Sequence, residues 1–492
     1  MTQTFRATLL AGALALAAGM AAAKSDVTIG FQLEPPNLDP TASAAAAIDS
    51  IVYANIFQGL TRFDSNGGVI PSLAESWDIS EDGKVYTFHL KSGVTYSDGT
   101  EFEATDVVHS ITRAKAPDST NPRKSIFEVI DKVEAVDPLT VRITLKRPKG
   151  GFLFDMARGD AVIIAPESAA TNVTNPVGTG PYRLEDWVKG DKVVLVARDD
   201  FWGEKPAITR ATFRFISDPT AAFAAMMSGD LDYFPAFPAP ENLPQFEADP
   251  RFRVTVGTTE GETILSTNNK MPPLDDVRVR EAIAHAINRQ EVIDGAYYGY
   301  GTPIGTHFAP HNPDYVDLTA LSNYDPEKSK ALLAEAGYPD GFTTTLKLPP
   351  PSYARRGGEI IAAQLAKVGI KVEISNLEWA QWLDEVYKQT NYGLSIVSHV
   401  EPFDIGIYAR KPYYFNYDSP EFDAIYAELD ATSDPAKRHE LLVKAQEKIA
   451  RDYVNGFLFQ LPLMSVSNAK LQGLWVNAPA PVTDLAAMSW AE

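Results

Sequence analysis

Few residues in this chain stand at the spacings that catalysis requires. There is no G-x-S-x-G elbow and no P-loop, and none of the seven histidines opens an H-E-x-x-H run. Gly178-Thr179-Gly180 lacks the third glycine of a dinucleotide loop, and Pro181 stands where the helix would begin. His307 and His311 have a metal-like spacing, but Pro310 between them breaks the helix that would align both imidazoles. Both therefore read as solvated loop residues, and no metal or other cofactor is expected. Scattered carboxylates leave a glycosidase pair open without supporting one. The densest polar chemistry lies in residues 395–417, where His399, Glu401, Phe403 and Asp404 precede Tyr408, Arg410, Lys411, Tyr413, Tyr414, Phe415 and Tyr417. A carboxylate in such apolar company needs a cationic partner, either on a ligand or internally at Arg410 or Lys411. Just upstream, Trp379 and Trp382 offer rigid rings for stacking on a ligand, while their i, i+3 spacing equally suits a core. Phe237 in a Pro-rich stretch and Arg158 before Gly159 are further candidates for contact with a ligand.

The elements that must position these residues are written in the hydrophobic periods. Four helices are expected to start at a capping residue followed by proline: Asp218-Pro219, Asp325-Pro326, Ser419-Pro420 and Asp434-Pro435. The second should end at Gly337. From Asp276 onward, Val279, Ile283, Ala286, Ile287 and Ile293 share one stripe, which predicts a single amphipathic surface helix. Strands are expected where Val141, Ile143 and Leu145, then Tyr86, Phe88 and Leu90, then Ile370, Val372 and Ile374 alternate with other residues. The last of these follows a helical pattern over 359–367, so helices and strands interleave and the class is α/β with mixed sheets. Biased patches at 44–47, 234–244 and 349–351 read as loops, and no 20–50-residue repeat is visible.

Composition narrows the setting. Arg6 is followed by an uncharged run to Ala23 and then by Lys24, which predicts a secretory leader cleaved after Ala21-Ala22-Ala23. The chain holds no cysteine, so neither a lipid attachment thiol nor a disulfide framework is expected. Its formal charge of −20 disfavours nucleic acid and anionic lipid, and no later apolar run approaches the ~20 residues of a membrane helix.

A series of motifs in fixed order adds a family. They are Leu38-Asp39-Pro40, Tyr53-Ala54-Asn55-Ile56-Phe57-Gln58-Gly59-Leu60, Pro71-Ser72-Leu73-Ala74-Glu75-Ser76-Trp77, and Asp98-Gly99-Thr100 leading to Ala104-Thr105-Asp106-Val107-Val108. Val177-Gly178-Thr179-Gly180-Pro181-Tyr182, Asp276-Val277-Arg278-Val279-Arg280-Glu281-Ala282, residues 332–341 and Ala366-Lys367-Val368-Gly369-Ile370 follow. With these, nearly the whole chain after the leader resembles family 5 extracellular solute-binding proteins, the dipeptide-, oligopeptide- and nickel-binding group of bacterial ABC importers. The resemblance implies a large type II bilobal periplasmic-binding-protein clamshell with an extra inserted subdomain. On this sequence the first lobe falls at 24–262 completed by about 467–492, the insert near 51–174 and the second lobe at 263–466. It also implies a periplasmic monomer that is no enzyme. Such a protein captures a short peptide or other amine-bearing solute and delivers it to an inner-membrane ABC permease. In the family's peptide binders an aspartate pairs with the ligand's α-ammonium. Alignment puts Glu401 there, with Asp404 three residues on and Ser398-His399-Val400 in place of the usual tryptophan and glycine context. Glu34, before Pro35-Pro36, matches a strand-end position near the family's cleft. An oligosaccharide or opine-like ligand, favoured by the dense aromatics and by the loss of the usual aspartate, and a periplasmic hydrolase remain as alternatives.

Overall fold

The computed structural model describes residues 24–43 and 45–491; the leader expected at residues 1–23 lies outside them. Its strands fall largely into one mixed sheet. In spatial order the main path runs Ile370–Asn376, Phe342–Leu348, Leu394–His399, Phe252–Thr267, Gly456–Asn468, Tyr233–Phe234, Asp26–Phe31, Arg210–Phe215, Lys192–Ala197 and Tyr182–Val188. The two central strands, of 16 and 13 residues, are far longer than the usual five or six, because each serves both halves of the molecule. The early part of Phe252–Thr267 pairs only with Gly456–Asn468, and its last six residues pair with Leu394–His399. The far end of Gly456–Asn468 instead pairs with Tyr233–Phe234. Their mutual register jumps between Thr258↔Pro462 and Glu262↔Gln460, so Thr259, Glu260 and Gly261 bulge out of the ladder.

Each half carries a parallel set: Asp26–Phe31 with Arg210–Phe215 and Tyr233–Phe234, and Phe342–Leu348 with Ile370–Asn376 and Leu394–His399. In open α/β sheets the crevice for a ligand lies beyond the carboxyl ends of such strands. A separate four-stranded antiparallel sheet, in the order Ala74–Ile79, Val85–Leu90, Thr140–Leu145, Ile130–Asp137, packs its own core of Phe88, Val107, Ile143 and Phe152. Ile29, Ile51, Leu195 and Phe213 fill the core of the first half. Leu265, Val279, Leu346 and Ile396 fill that of the second, beside an aromatic-rich cluster built around Tyr408, Tyr414 and Trp382.

Local signals explain most boundaries. Asp218, Asp325, Ser419 and Asp434 all cap their helices through side-chain oxygens, each with proline in the first turn. Gly337, at φ 93°, follows the helix Pro326–Glu335 as expected. The single stripe expected from Asp276 is in fact two helices, Val277–Ala286 and Arg289–Tyr297. Ile287 is extended, and the Asn288 side chain accepts a hydrogen bond from Glu291 N at 3.2 Å, so a second cap overrides the continuous hydrophobic period. The alanine patch expected as a loop at 44–47 enters the helix Ala46–Val52.

Candidate functional site

Beside the bulge of the long strands lies a cavity of about 650 Å³. Asp49, Phe63, Arg123, Arg158 and Asp160 line it from the first half, and Val400, Glu401 and Pro402 from the second; Thr259–Gly261 and the segment at 478–481 complete it. Glu401 reaches it because it stands two residues past the carboxyl end of Leu394–His399. A second cavity of about 520 Å³ also borders Thr259 and is lined by Gln32, Phe237, Tyr297, Ser352 and Met464. Gln32 and Ser352 each follow a parallel strand closely, so both cavities occupy the crevice that the sheet topology calls for.

The wall contributed by the first half is a charge cluster. Asp160 stands 3.3 Å from the Arg123 guanidinium and 3.6 Å from that of Arg158. Neither Arg158 Nε nor Asp160 Oδ1 has a hydrogen-bond partner. Burial pushes the Arg158 pKa down and that of Asp160 up. Burial, reinforced by the Asp160 charge, raises Asp49 to about 8 against the opposing pull of Arg158 and Arg123. The Asp49 carboxyl packs against Gly159: a Cβ there would lie 2.6 Å from the Asp49 carboxyl carbon, so a larger residue would displace that carboxyl. With Asp49 protonated, two guanidinium groups against one carboxylate leave this wall with a net positive charge.

Glu401 presents the opposite sign. It is exposed, and it accepts a hydrogen bond from Val400 N at 3.3 Å. The internal ion pair that the sequence left open is not formed. Lys411 is taken by Asp418 at 2.6 Å and by Asp423, while the Arg410 guanidinium lies 5.3 Å from the centre of the Tyr413 ring.

Behind Glu401 lies a buried polar network. His307 Nε2 is 2.7 Å from Asp404 Oδ1, and His399 Nδ1 is 3.4 Å from Asp404 Oδ2. Burial works against the Asp404 charge, but the two imidazoles outweigh it and hold the carboxyl below the usual carboxylate range. Glu262 is pushed well above that range by burial and by the charges of Asp404 and Glu260. His311 hydrogen-bonds Glu260 at 2.7 Å through Nε2 and Thr258 at 2.7 Å through Nδ1. The expectation of two solvated histidines is therefore corrected, since both side chains are about 1% exposed. The sequence also paired the wrong histidines: His307 meets His399 and Asp404, which are far away along the chain, rather than His311. Those three can offer ligand atoms to one metal ion.

Several other sequence candidates turn away from the cavities. Asp404 and His399 sit in the buried network, and Tyr408 is fully buried, with its hydroxyl between His307 and Asn455. Trp382 is 4% exposed and donates its indole N–H to Ser395 Oγ at 2.9 Å, so it belongs to the core, whereas Trp379 is 42% exposed and packs edge-on against it. Tyr413 packs on Tyr414 and Phe415, and Arg410 is exposed beside it. Phe403 holds a left-handed backbone, φ 57°, a strained state for a bulky residue. Its ring packs 4.5 Å from Phe154 of the first half and 5.3 Å from Phe308. Glu34 accepts hydrogen bonds from the Trp187 indole and from Gly190 N, both at 3.0 Å, so it ties a strand end to the Tyr182–Val188 hairpin. Phe237 is buried against Phe234 and Phe246, although it borders the second cavity. Asp49, Arg123 and Asp160 carried no sequence signal, because three short, separate segments bring them together.

Comparison with known proteins fits this architecture. Residues 68–416 match the family described as bacterial extracellular solute-binding proteins, family 5 Middle. The glutathione-binding protein GsiB of Pectobacterium atrosepticum is 34% identical over 478 residues, covering 92% of either chain. Among solved structures, HbpA2 from Haemophilus parasuis superposes with a TM-score of 0.85 at 26% identity, covering 95% of this chain and all of that one. The periplasmic binding protein DppA of Helicobacter pylori, in complex with the peptide STSA, gives 0.73 at 25% identity over 95% and 98% of the two chains.

Proposed function

The chain belongs to family 5 of the bacterial extracellular solute-binding proteins, the substrate-binding components of ABC importers, and on that premise we propose that its 650 Å³ cleft captures a short peptide of net acidic or zwitterionic character. Arg158 and Arg123 receive a ligand carboxylate, and Glu401 receives the ammonium. What supports the reading is that Arg158, with an unpartnered Nε, and Glu401, with no cationic partner among the described residues, line one cavity from the two halves of the molecule. Charged groups left without a counter-charge gain most from a partner of opposite sign, above all a buried one such as Arg158. A tripeptide of the glutathione type, carrying one ammonium and two carboxylates, matches that charge pattern, and GsiB is a glutathione-binding protein by name. The aromatic ground for an oligosaccharide or opine ligand narrows, because Trp382, Tyr408 and Tyr414 are in the core and only Trp379 is exposed.

In this reading Phe252–Thr267 and Gly456–Asn468 act as the hinge between a first lobe of residues 24–262 plus the C-terminal segment and a second lobe of 263–466. Ligand contact with both lobes stabilises the closed state by differential affinity. Residues 1–23 direct export to the periplasm and are removed after Ala23, and with no cysteine the mature protein carries no lipid. The ligand is released unchanged, so prolonged incubation followed by mass analysis returns it intact. Calorimetry with glutathione, its analogue lacking the α-amine, and a neutral oligosaccharide tests the ligand class. Tight binding of the tripeptide and at least tenfold weaker binding of the analogue are expected; binding of the sugar alone would overturn the assignment.

A further inference from the structure

The network behind the cleft wall brings three chain segments to one point. His307 comes from the loop after Thr302–Pro303, His399 ends the strand Leu394–His399, and Asp404 opens the turn Asp404–Ala409. Their ligand atoms all lie within 4.8 Å of one another. The second nitrogen of each imidazole is held by a phenol: His307 Nδ1 stands 3.2 Å from the Tyr408 hydroxyl, and His399 Nε2 stands 3.0 Å from that of Tyr414. Imidazoles that bind a metal through one nitrogen are fixed in this way through the other.

A separate observation points to the same place. Glu262 is 3% exposed, its Oε2 has no hydrogen-bond partner, and it lines the same small cavity as His307 and Asp404. Strand register sets Glu262 directly opposite His399. A buried carboxylate oxygen without a partner is costly, and a cation between these groups would supply one.

We infer that His307, His399 and Asp404 form a site for a divalent cation of the zinc class, with the Glu262 carboxylate, opposite His399, turning in as the fourth ligand. Two imidazole nitrogens and two carboxylate oxygens suit a borderline ion; calcium and magnesium prefer sets of oxygen ligands. The ligand atoms would settle at roughly 3.3 Å from one another, as bonds of about 2.0–2.1 Å in a tetrahedron require. The ion would join the central strand Phe252–Thr267 to the end of Leu394–His399 and to the turn at Asp404. It would thereby fix the segment that presents Glu401 to the cleft.

Cobalt and zinc titrations of chelator-treated full-length protein test the site. One equivalent of Co²⁺ should give the intense visible bands of a tetrahedral site and be displaced by Zn²⁺. Glu262→Gln and Asp404→Asn should each weaken Zn²⁺ binding at least tenfold. His439→Ala, which removes an exposed histidine that hydrogen-bonds Asp314 at 2.7 Å, should leave it unchanged. X-ray absorption on the zinc-loaded wild type should show two imidazoles, a readout that stands even if Asp404→Asn does not fold. Absence of a bound equivalent, fewer than two imidazoles, or affinity unaffected by Glu262→Gln but lost in His439→Ala would overturn the site in favour of an adventitious surface ion.

Discussion

Asp404 Oδ1 lies 2.7 Å from His307 Nε2 behind the cleft wall, whereas Glu401, three residues earlier, stands exposed in the cleft with the Val400 N–H as its hydrogen-bond donor. The turn between them gives two acids of one segment opposite surroundings. Of the two, only Glu401 lines the 650 Å³ cavity.

Glu401→Gln keeps the shape of that wall and removes its charge. It should weaken binding of an amine-bearing peptide by roughly 2–5 kcal/mol, because the ligand's ammonium is then enclosed without a counter-charge. An analogue lacking the amine should lose little further affinity to the variant. Calorimetry on the four combinations measures the coupling, and additive losses would mean that the two groups do not meet.

Trp382 and Trp379 should separate cleanly by stability. Trp382→Ala leaves a cavity beside Tyr414 and removes the indole donor to Ser395 Oγ, which should cost about 3–5 kcal/mol in urea unfolding. Trp379→Ala, at an exposed position, should stay within about 0.5 kcal/mol. A ligand affinity that falls sharply in Trp379→Ala without loss of stability would return that ring to the binding surface.

Asp49 predicts a pH dependence. Its folded pKa, raised to about 8 from an ordinary 3.8, means that the folded protein keeps a proton which the unfolded chain releases. Stability from this group is complete below about pH 4 and is lost as pH rises towards 8, with a slope of at most ~1.4 kcal/mol per pH unit. Asp160, Arg158 and Arg123 face it and stay in place in Asp49→Asn, which should flatten that slope. Denaturant melts at pH 5, 6, 7 and 8 compare the two proteins, and an identical slope in both would remove Asp49 from the account.

Ligand capture should compact and stabilise the protein together. At 100 times Kd, a ligand that binds only the folded state adds about 2.7 kcal/mol. Small-angle scattering should show a smaller radius of gyration with the ligand bound. Tight binding with an unchanged radius would argue against closure about the two long strands.

The sequence by itself determined what local and repeated signals can carry. Asp218, Asp325, Ser419 and Asp434 announce their helices because a cap needs only one side chain and the next few backbone N–H groups. The strands around Phe88, Ile143 and Ile370 announce themselves through alternation, and the ordered motifs gave the family and with it the bilobal plan. Glu401 was legible as an acid in need of a partner. Tertiary structure alone decided which partners exist. Arg158, Asp160 and Asp49 meet Glu401 around one cavity only after the sheet has formed, so no spacing in the chain encodes them. Trp382 faces inward, His307 turns from His311 to Asp404, and Glu34 is held by Trp187, each because packing across distant segments outweighed the local pattern. Ile287 shows the reverse limit: a continuous apolar stripe hid the break that the Asn288 side chain caps. A periodic pattern fixes which face is apolar, but the contact that satisfies each buried polar group is chosen by the fold.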